Sequence, residues 1–299
     1  MTTTEFGKLF YASNDSEQYD LVLKTAKSIN VQYPNITTRN SVFTGYREVL
    51  GIKGLGGLPP RHSNEALDTY SDRLIKSNTP IYTYAGALFR LDTAERDRIN
   101  EQYKIKVKNQ MQNLIKIENV PEFLAVSEEL LVSRMYNRQI LGLLALTGRR
   151  TVEIALTGSL DPISDTTALF EGQAKTGDNE SHPYVIPVLS DSSKLRDAII
   201  SLRSKKPEFL DYTHDNLNNT IASKLSRIVK NEYKGVFSPD YNITVHSLRG
   251  AYGALCTDFF KPVNMDGGEY LSTILGHSAL DFTTRASYLK FYICEPQNV

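Results

Sequence analysis

The 299-residue chain contains no tryptophan, only two cysteines and no net charge, with 34 Lys+Arg against 34 Asp+Glu. Cys256 and Cys294 form neither a Cys-x-x-Cys pair nor a Cys/His ligand pattern. They are read as reduced thiols, which excludes a disulfide framework and a structural zinc. No apolar run approaches the roughly 20 residues that span a bilayer, and the best, residues 140–146, is interrupted by Gly142. The opening MTTTEFGKLF lacks the basic and then apolar blocks of a signal peptide. These absences predict a cytoplasmic protein with no membrane partner. The neutral total also argues against holding nucleic acid by bulk charge, and neither half of the chain is basic.

What is present is an ordinary globular composition, 40% hydrophobic and 23% charged, at a length that predicts about two domains with a full core in each. Residues 1 to about 15 read as a loose polar start. Helical spacing then runs through 16–33 and 37–50, the latter closed by the Gly/Pro-rich GIKGLGGLPP, with shorter helices at 64–76 and 80–89 and a longer one over 94–117. Pro121 is the expected boundary between an all-helical domain, 1–120, and a second domain, 121–299. In the second domain a helix is expected over 128–146, then a short one carrying Arg150 and Glu153. Two β-rich stretches, 167–175 and 184–189, flank the turn-forming TGDNESHP and predict a hairpin. Helices follow at 191–203, 216–231, 245–259, 270–275 and 283–293. The predicted fold class is mainly α with a small antiparallel β-sheet.

Five short segments stand out. LALTGRRTVEI (144–154) turns tightly at Thr147-Gly148 into Arg149, Arg150 and Glu153; GQAKTG (172–177) sets Lys175 beside the hairpin turn. TVHSLRGAYGAL (244–255) spaces His246 and Arg249 three apart, on one helix face. LGHS (275–278) carries His277, and TTRASYLKFYI (283–293) carries Tyr288. Each has an ordinary explanation. Tyr288 is one of 17 tyrosines beside other apolar residues, as core aromatics are. Both histidines lack a metal pattern such as His-Glu-x-x-His. Lys175 follows Ala174 instead of the glycine a P-loop needs, so nucleotide binding is unsupported. Glu153 could simply favour its own helix dipole.

In this order the segments resemble the motif series of the tyrosine recombinases over roughly the last 170 residues, and in detail the telomere resolvases, or protelomerases, which make covalently closed hairpin ends. The details are GQAKT, H-x-L-R followed by small residues, and SYLKF. The chain departs from that subfamily in having few residues after Tyr288 and no basic excess. The resemblance implies a tyrosine recombinase catalytic fold preceded by a helical core-binding domain that clamps DNA. It implies catalytic Tyr288, Arg150, Lys175, His246, Arg249 and His277, with Glu153 in support, and no cofactor or metal. Its partner would be double-stranded DNA, a palindromic site bound by a homodimer, in a protein associated with the nucleoid or with plasmid or phage DNA.

The chemistry of the side chains fits those roles. Phosphodiester cleavage without metal or ATP needs a nucleophile, a clamp for the non-bridging oxygens and an acid for the departing 5′ oxygen. A phenol can form a covalent ester that stores the bond energy. Arginine forks match phosphate and stay charged, and Lys175, His246 and His277 can donate or move protons. Tyr292, four residues after Tyr288, is the fallback nucleophile. Arg149, Arg203, Lys205 and Lys206 are expected to meet DNA phosphates, although a helix C-terminus also favours such cations. The alternatives are an integrase or resolvase of plasmid or phage DNA, and a DNA-binding protein of the same fold without activity.

Overall fold

The computed structural model describes residues 1–53, 59–63, 65–174, 182–276 and 290–293. The chain divides into two compact units, Met1–Lys106 and Val107–Val299. The division falls ahead of Pro121, inside a helix that runs Thr93–Gln112.

The first unit is helical. It contains α1 (Thr3–Ala12), α2 (Asp15–Gln32), α3 (Ile36–Val49), α4 (Leu67–Lys76), α5 (Ile81–Leu88) and the start of α6 (Thr93–Gln112). The expected loose start is instead an ordered helix. Thr2 and Glu5 form a reciprocal capping box at its N-terminus, satisfying two donors that a helix start leaves open. Its interior face delivers Phe6 and Phe10, both fully buried. Phe6 meets Tyr46 and Phe89 edge-on, with ring centroids 5.1 and 5.5 Å apart. Such pairs each add about 0.5–1.5 kcal/mol beyond burial, which is why a short N-terminal segment is fixed here.

The second unit is built around α8 (Tyr136–Thr147), buried continuously from Gln139 to Thr147. A helix that is apolar on every side belongs at the centre of a core. Around it lie α7 (Val120–Leu131), α9 (Ser192–Lys205), α10 (His214–Glu232), α11 (Val245–Phe260) and α12 (Gly267–Leu275). The single helix expected over 128–146 is therefore two, α7 and α8, because Ser133 to Met135 leave the helical path. One π-helical turn, Glu153–Thr157, follows α8.

Among the described residues two small sheets complete the unit. Strand β2 (Ser159–Ser164), unforeseen in the sequence, pairs antiparallel with β3 (Thr167–Glu171), which pairs antiparallel with β4 (Tyr184–Pro187). The β3–β4 pair is the expected hairpin, while most of its connecting turn lies outside the described residues. Strand β1 (Ile115–Lys116) runs parallel to β5 (Phe291–Tyr292). Residues 115–117 and 291–292 were expected to be helical. They are extended instead, because main-chain bonds to a distant partner, such as Ile115 N–H to Lys290 O at 2.7 Å, replace helical ones. The rest of the expected helix 283–293 falls largely outside the described residues. The fold class read from the sequence, mainly α with a small antiparallel sheet, is borne out.

Candidate active site

The site is assembled where α8 stops. Gly148 adopts a left-handed φ of +64°, a conformation open to glycine at no steric cost. A Cβ here would strike the ring of Tyr252, so the turn has room only for glycine. The chain then presents two adjacent arginines to one cleft, the first enclosed and the second partly exposed.

Arg150 keeps a fifth of its side chain exposed, at 21%. Its Nη1 donates to Glu153 Oε1 at 2.7 Å and to Ala174 O at 3.0 Å. Glu153 is completely buried. It also accepts from the Arg150 backbone N–H at 2.7 Å and from the Ala174 N–H at 3.1 Å. One carboxylate thus fixes the arginine and the residue immediately before Lys175. Burial pushes the Glu153 carboxyl up, but the surrounding charges of Arg149, Arg249 and Arg150, with the Arg150 N–H, outweigh it and hold it below the ordinary carboxylate range.

Arg249, on α11, is 2% exposed. Its guanidinium donates to Gly148 O and, at 2.8 Å, to Leu275 O. One turn earlier on α11, His246 is exposed. Thr244 and Ser247 cap this helix reciprocally, and Tyr241 and Ser247 share a hydrogen bond at 2.7 Å. Arg150, His246 and Arg249 all line one cleft of about 470 Å³, together with Ala174 and the first turn of α10 at His214, Asp215 and Asn218. This last wall was not singled out from sequence. Its signal was Thr213, whose Oγ1 caps the Asn216 N–H, placing the helix start two residues before the expected one.

Lys175, His277 and Tyr288 lie outside the described residues. The fallback nucleophile Tyr292 sits on β5 opposite Lys116 and does not line the cleft.

Of the four cations expected to meet phosphate, Arg149 lines the same cleft, largely enclosed, and the other three are held elsewhere on the second unit. Arg149 is 1% exposed. It donates to Thr147 O at 3.1 Å, to the Tyr184 hydroxyl and to Ile274 O, and its guanidinium lies 4.7 Å from the Phe170 ring centroid. Such a group braces the interior while also lining the cleft. Arg203 Nη2 donates to the carbonyls of Glu153, Ile154 and Gly158, closing the π-helical turn where a widened helix leaves oxygens poorly satisfied. Lys205 donates to Gln139 Oε1 at 2.9 Å, and Lys206 pairs with Glu208 at 2.9 Å beside the Tyr136 ring. Both lie near the start of α8, a helix roughly 18 Å long whose other end forms the cleft.

Residues 113–291, more than half of the chain, match the family model of the telomere resolvase ResT/TelK catalytic domain. Telomere resolvase ResT of Borreliella burgdorferi is 24% identical over 162 residues, covering 54% of this chain and 35% of that protein. The chain therefore spans about a third of the length of this curated relative. Among solved structures, protelomerase TelA covalently complexed with substrate DNA matches with a TM-score of 0.78 at 23% identity, over 97% of this chain and 88% of that one. A mutant of TelA complexed with DNA hairpin product gives the same TM-score, identity and coverage. Protelomerase TelK complexed with substrate DNA matches with a TM-score of 0.62 at 19% identity, over 95% and 60%. At these identities the structural likeness is one of fold.

Proposed function

Because the chain belongs to the telomere resolvase ResT/TelK catalytic-domain family, we propose that it breaks and rejoins DNA through a 3′-phosphotyrosyl intermediate and resolves telomere junctions into hairpin ends. The observation that carries this reading is the convergence of Arg150, His246 and Arg249, from segments about a hundred residues apart, on one cleft beside Ala174. Two buttressed arginines suit the non-bridging oxygens of a phosphodiester, where charge develops during substitution, and a histidine beside them can move a proton.

In the proposed reaction the Tyr288 phenolic oxygen attacks phosphorus and its proton passes to His246. The bond from phosphorus to the 5′ oxygen breaks, and Lys175 protonates that oxygen. Arg150, Arg249 and His277 hold the phosphate throughout. A 5′-hydroxyl then attacks the phosphotyrosine, restoring the tyrosine and the phosphodiester. Attack by the opposite strand of the same duplex end closes a hairpin. No metal or ATP enters the balance, since the tyrosyl ester conserves the bond.

Two copies on a palindromic duplex follow from substrate symmetry. Outside the cognate site, the neutral charge balance should make binding weak and lost at modest salt. Incubation with a palindromic junction, followed by a denaturing gel, tests the reading. Closed hairpins support it. Exchanged strands would assign an integrase or resolvase, and intact strands with retained binding would assign an inactive DNA-binding protein.

A further inference from the structure

Helix α12 ends on Gly276, with φ +67°, immediately before His277 in the chain. The last carbonyls of a helix have no partner within it and carry its negative end. Here three consecutive carbonyls each accept from a side chain, and each donor comes from a different one of the segments singled out in the sequence. Arg149, from the turn after α8, donates to Ile274 O. Arg249, on α11, donates to Leu275 O. Gln173 Nε2, two residues before Lys175, donates to Gly276 O. Tyr184 closes the arrangement, its hydroxyl accepting from Arg149 and lying where a Cβ on Gly276 would fall.

We propose that Gln173 and Arg149 are positioning residues that fix the end of α12 and so set the approach of His277 to the phosphate. This rests on the reading of His277 as a phosphate donor. The carbonyl that Gln173 holds belongs to the peptide bond of His277 itself, so a shift there is carried directly into that residue. Arg149 performs the same task two residues earlier, and its cation also suits the helix end. Both act through other groups and neither is a catalytic residue.

Gln173 is the better probe, since it is half-buried and its replacement opens no core cavity. Single-turnover hairpin formation at saturating junction DNA would be measured for the wild type, Gln173→Met, Gln173→Glu, His277→Ala and the Gln173→Met/His277→Ala pair. Junction affinity and melting temperature would be followed alongside. Gln173→Met and Gln173→Glu both lose the amide donor while keeping the size, and each should slow the chemical step roughly 10- to 100-fold, as small misplacements do. Junction affinity and melting temperature should stay near wild type. In the His277→Ala background Gln173→Met should cause no further slowing, because its effect passes through the missing side chain. Wild-type rates for the Gln173 variants, or independent and multiplicative losses in the pair, would overturn the proposal while leaving the reading of His277 intact. A wild-type rate for His277→Ala would overturn that reading and the proposal with it.

Discussion

Helices α8 and α12 both stop at a left-handed glycine just before a residue proposed for catalysis, Arg150 in one case and His277 in the other, but they are held by different forces. At Gly148 the main constraint is steric, with Arg249 also donating to its carbonyl. The buried Tyr252 ring fills the space a side chain would need, and its hydroxyl is tied to Pro187 O at 2.7 Å, so the ring has nowhere to go. At Gly276 the constraint is polar: Arg149, Arg249 and Gln173 supply donors to the last carbonyls. A packed stop is local and rigid. A hydrogen-bonded stop ties together segments a hundred residues apart, and it should weaken gradually as its donors are removed.

The largest expected effect comes from the anion shared by both ends. Glu153→Gln removes the negative charge among Arg149, Arg150 and Arg249, and breaking a buried ion pair from one side costs about 3–5 kcal/mol. Chemical denaturation at neutral pH measures it. The sign with pH follows from the lowered carboxyl. Its stabilisation is complete above the unfolded value of about 4.3 and is lost as pH falls through the lower folded value. The acid side of the wild-type stability curve should therefore fall more steeply than that of Glu153→Gln, and matching slopes would remove Glu153 from the account.

Next in size is Gly148→Ala. The left-handed backbone costs about 1–2 kcal/mol and forced overpacking against Tyr252 about 1–3 kcal/mol more, so melting temperature and strand cleavage should fall together. The nearest atoms to a Cβ at Gly276 are the ends of the Gln173 and Tyr184 side chains, of which the flexible Gln173 can turn aside. The stability loss of Gly276→Ala should be limited to about 1–2 kcal/mol, with cleavage falling out of proportion to stability. Equal losses at the two glycines would erase the contrast between the two stops. The smallest effect is that of Tyr184→Phe, which removes one acceptor of Arg149 and should cost about 1 kcal/mol in thermal unfolding.

The sequence exposed one side of this arrangement better than the other. Thr147-Gly148, His246 and Arg249 were legible because turn chemistry and helix spacing are local, and the β3–β4 hairpin because apolar runs flank a turn-rich stretch. The bonds to Ile274, Leu275 and Gly276 were not legible, since a carbonyl acceptor carries no side-chain signature. The same limit hid the carbonyl partners of Arg149 and Arg203. Beside a glycine turn or near a helix end an arginine looks like a phosphate contact, and only the fold shows that its donors face interior carbonyls. Strands β1 and β5 were missed because two-residue strands have no periodicity, and α1 because its two phenylalanines are outnumbered by polar neighbours.

The covalent step is open to direct capture. A duplex nicked near the scissile phosphate, so that the released 5′ end diffuses away, should leave a protein–DNA adduct whose attached peptide contains Tyr288, and Tyr288→Phe should form none. An adduct that persists in Tyr288→Phe, or its absence from wild-type protein bound to its cognate junction, would contradict the account.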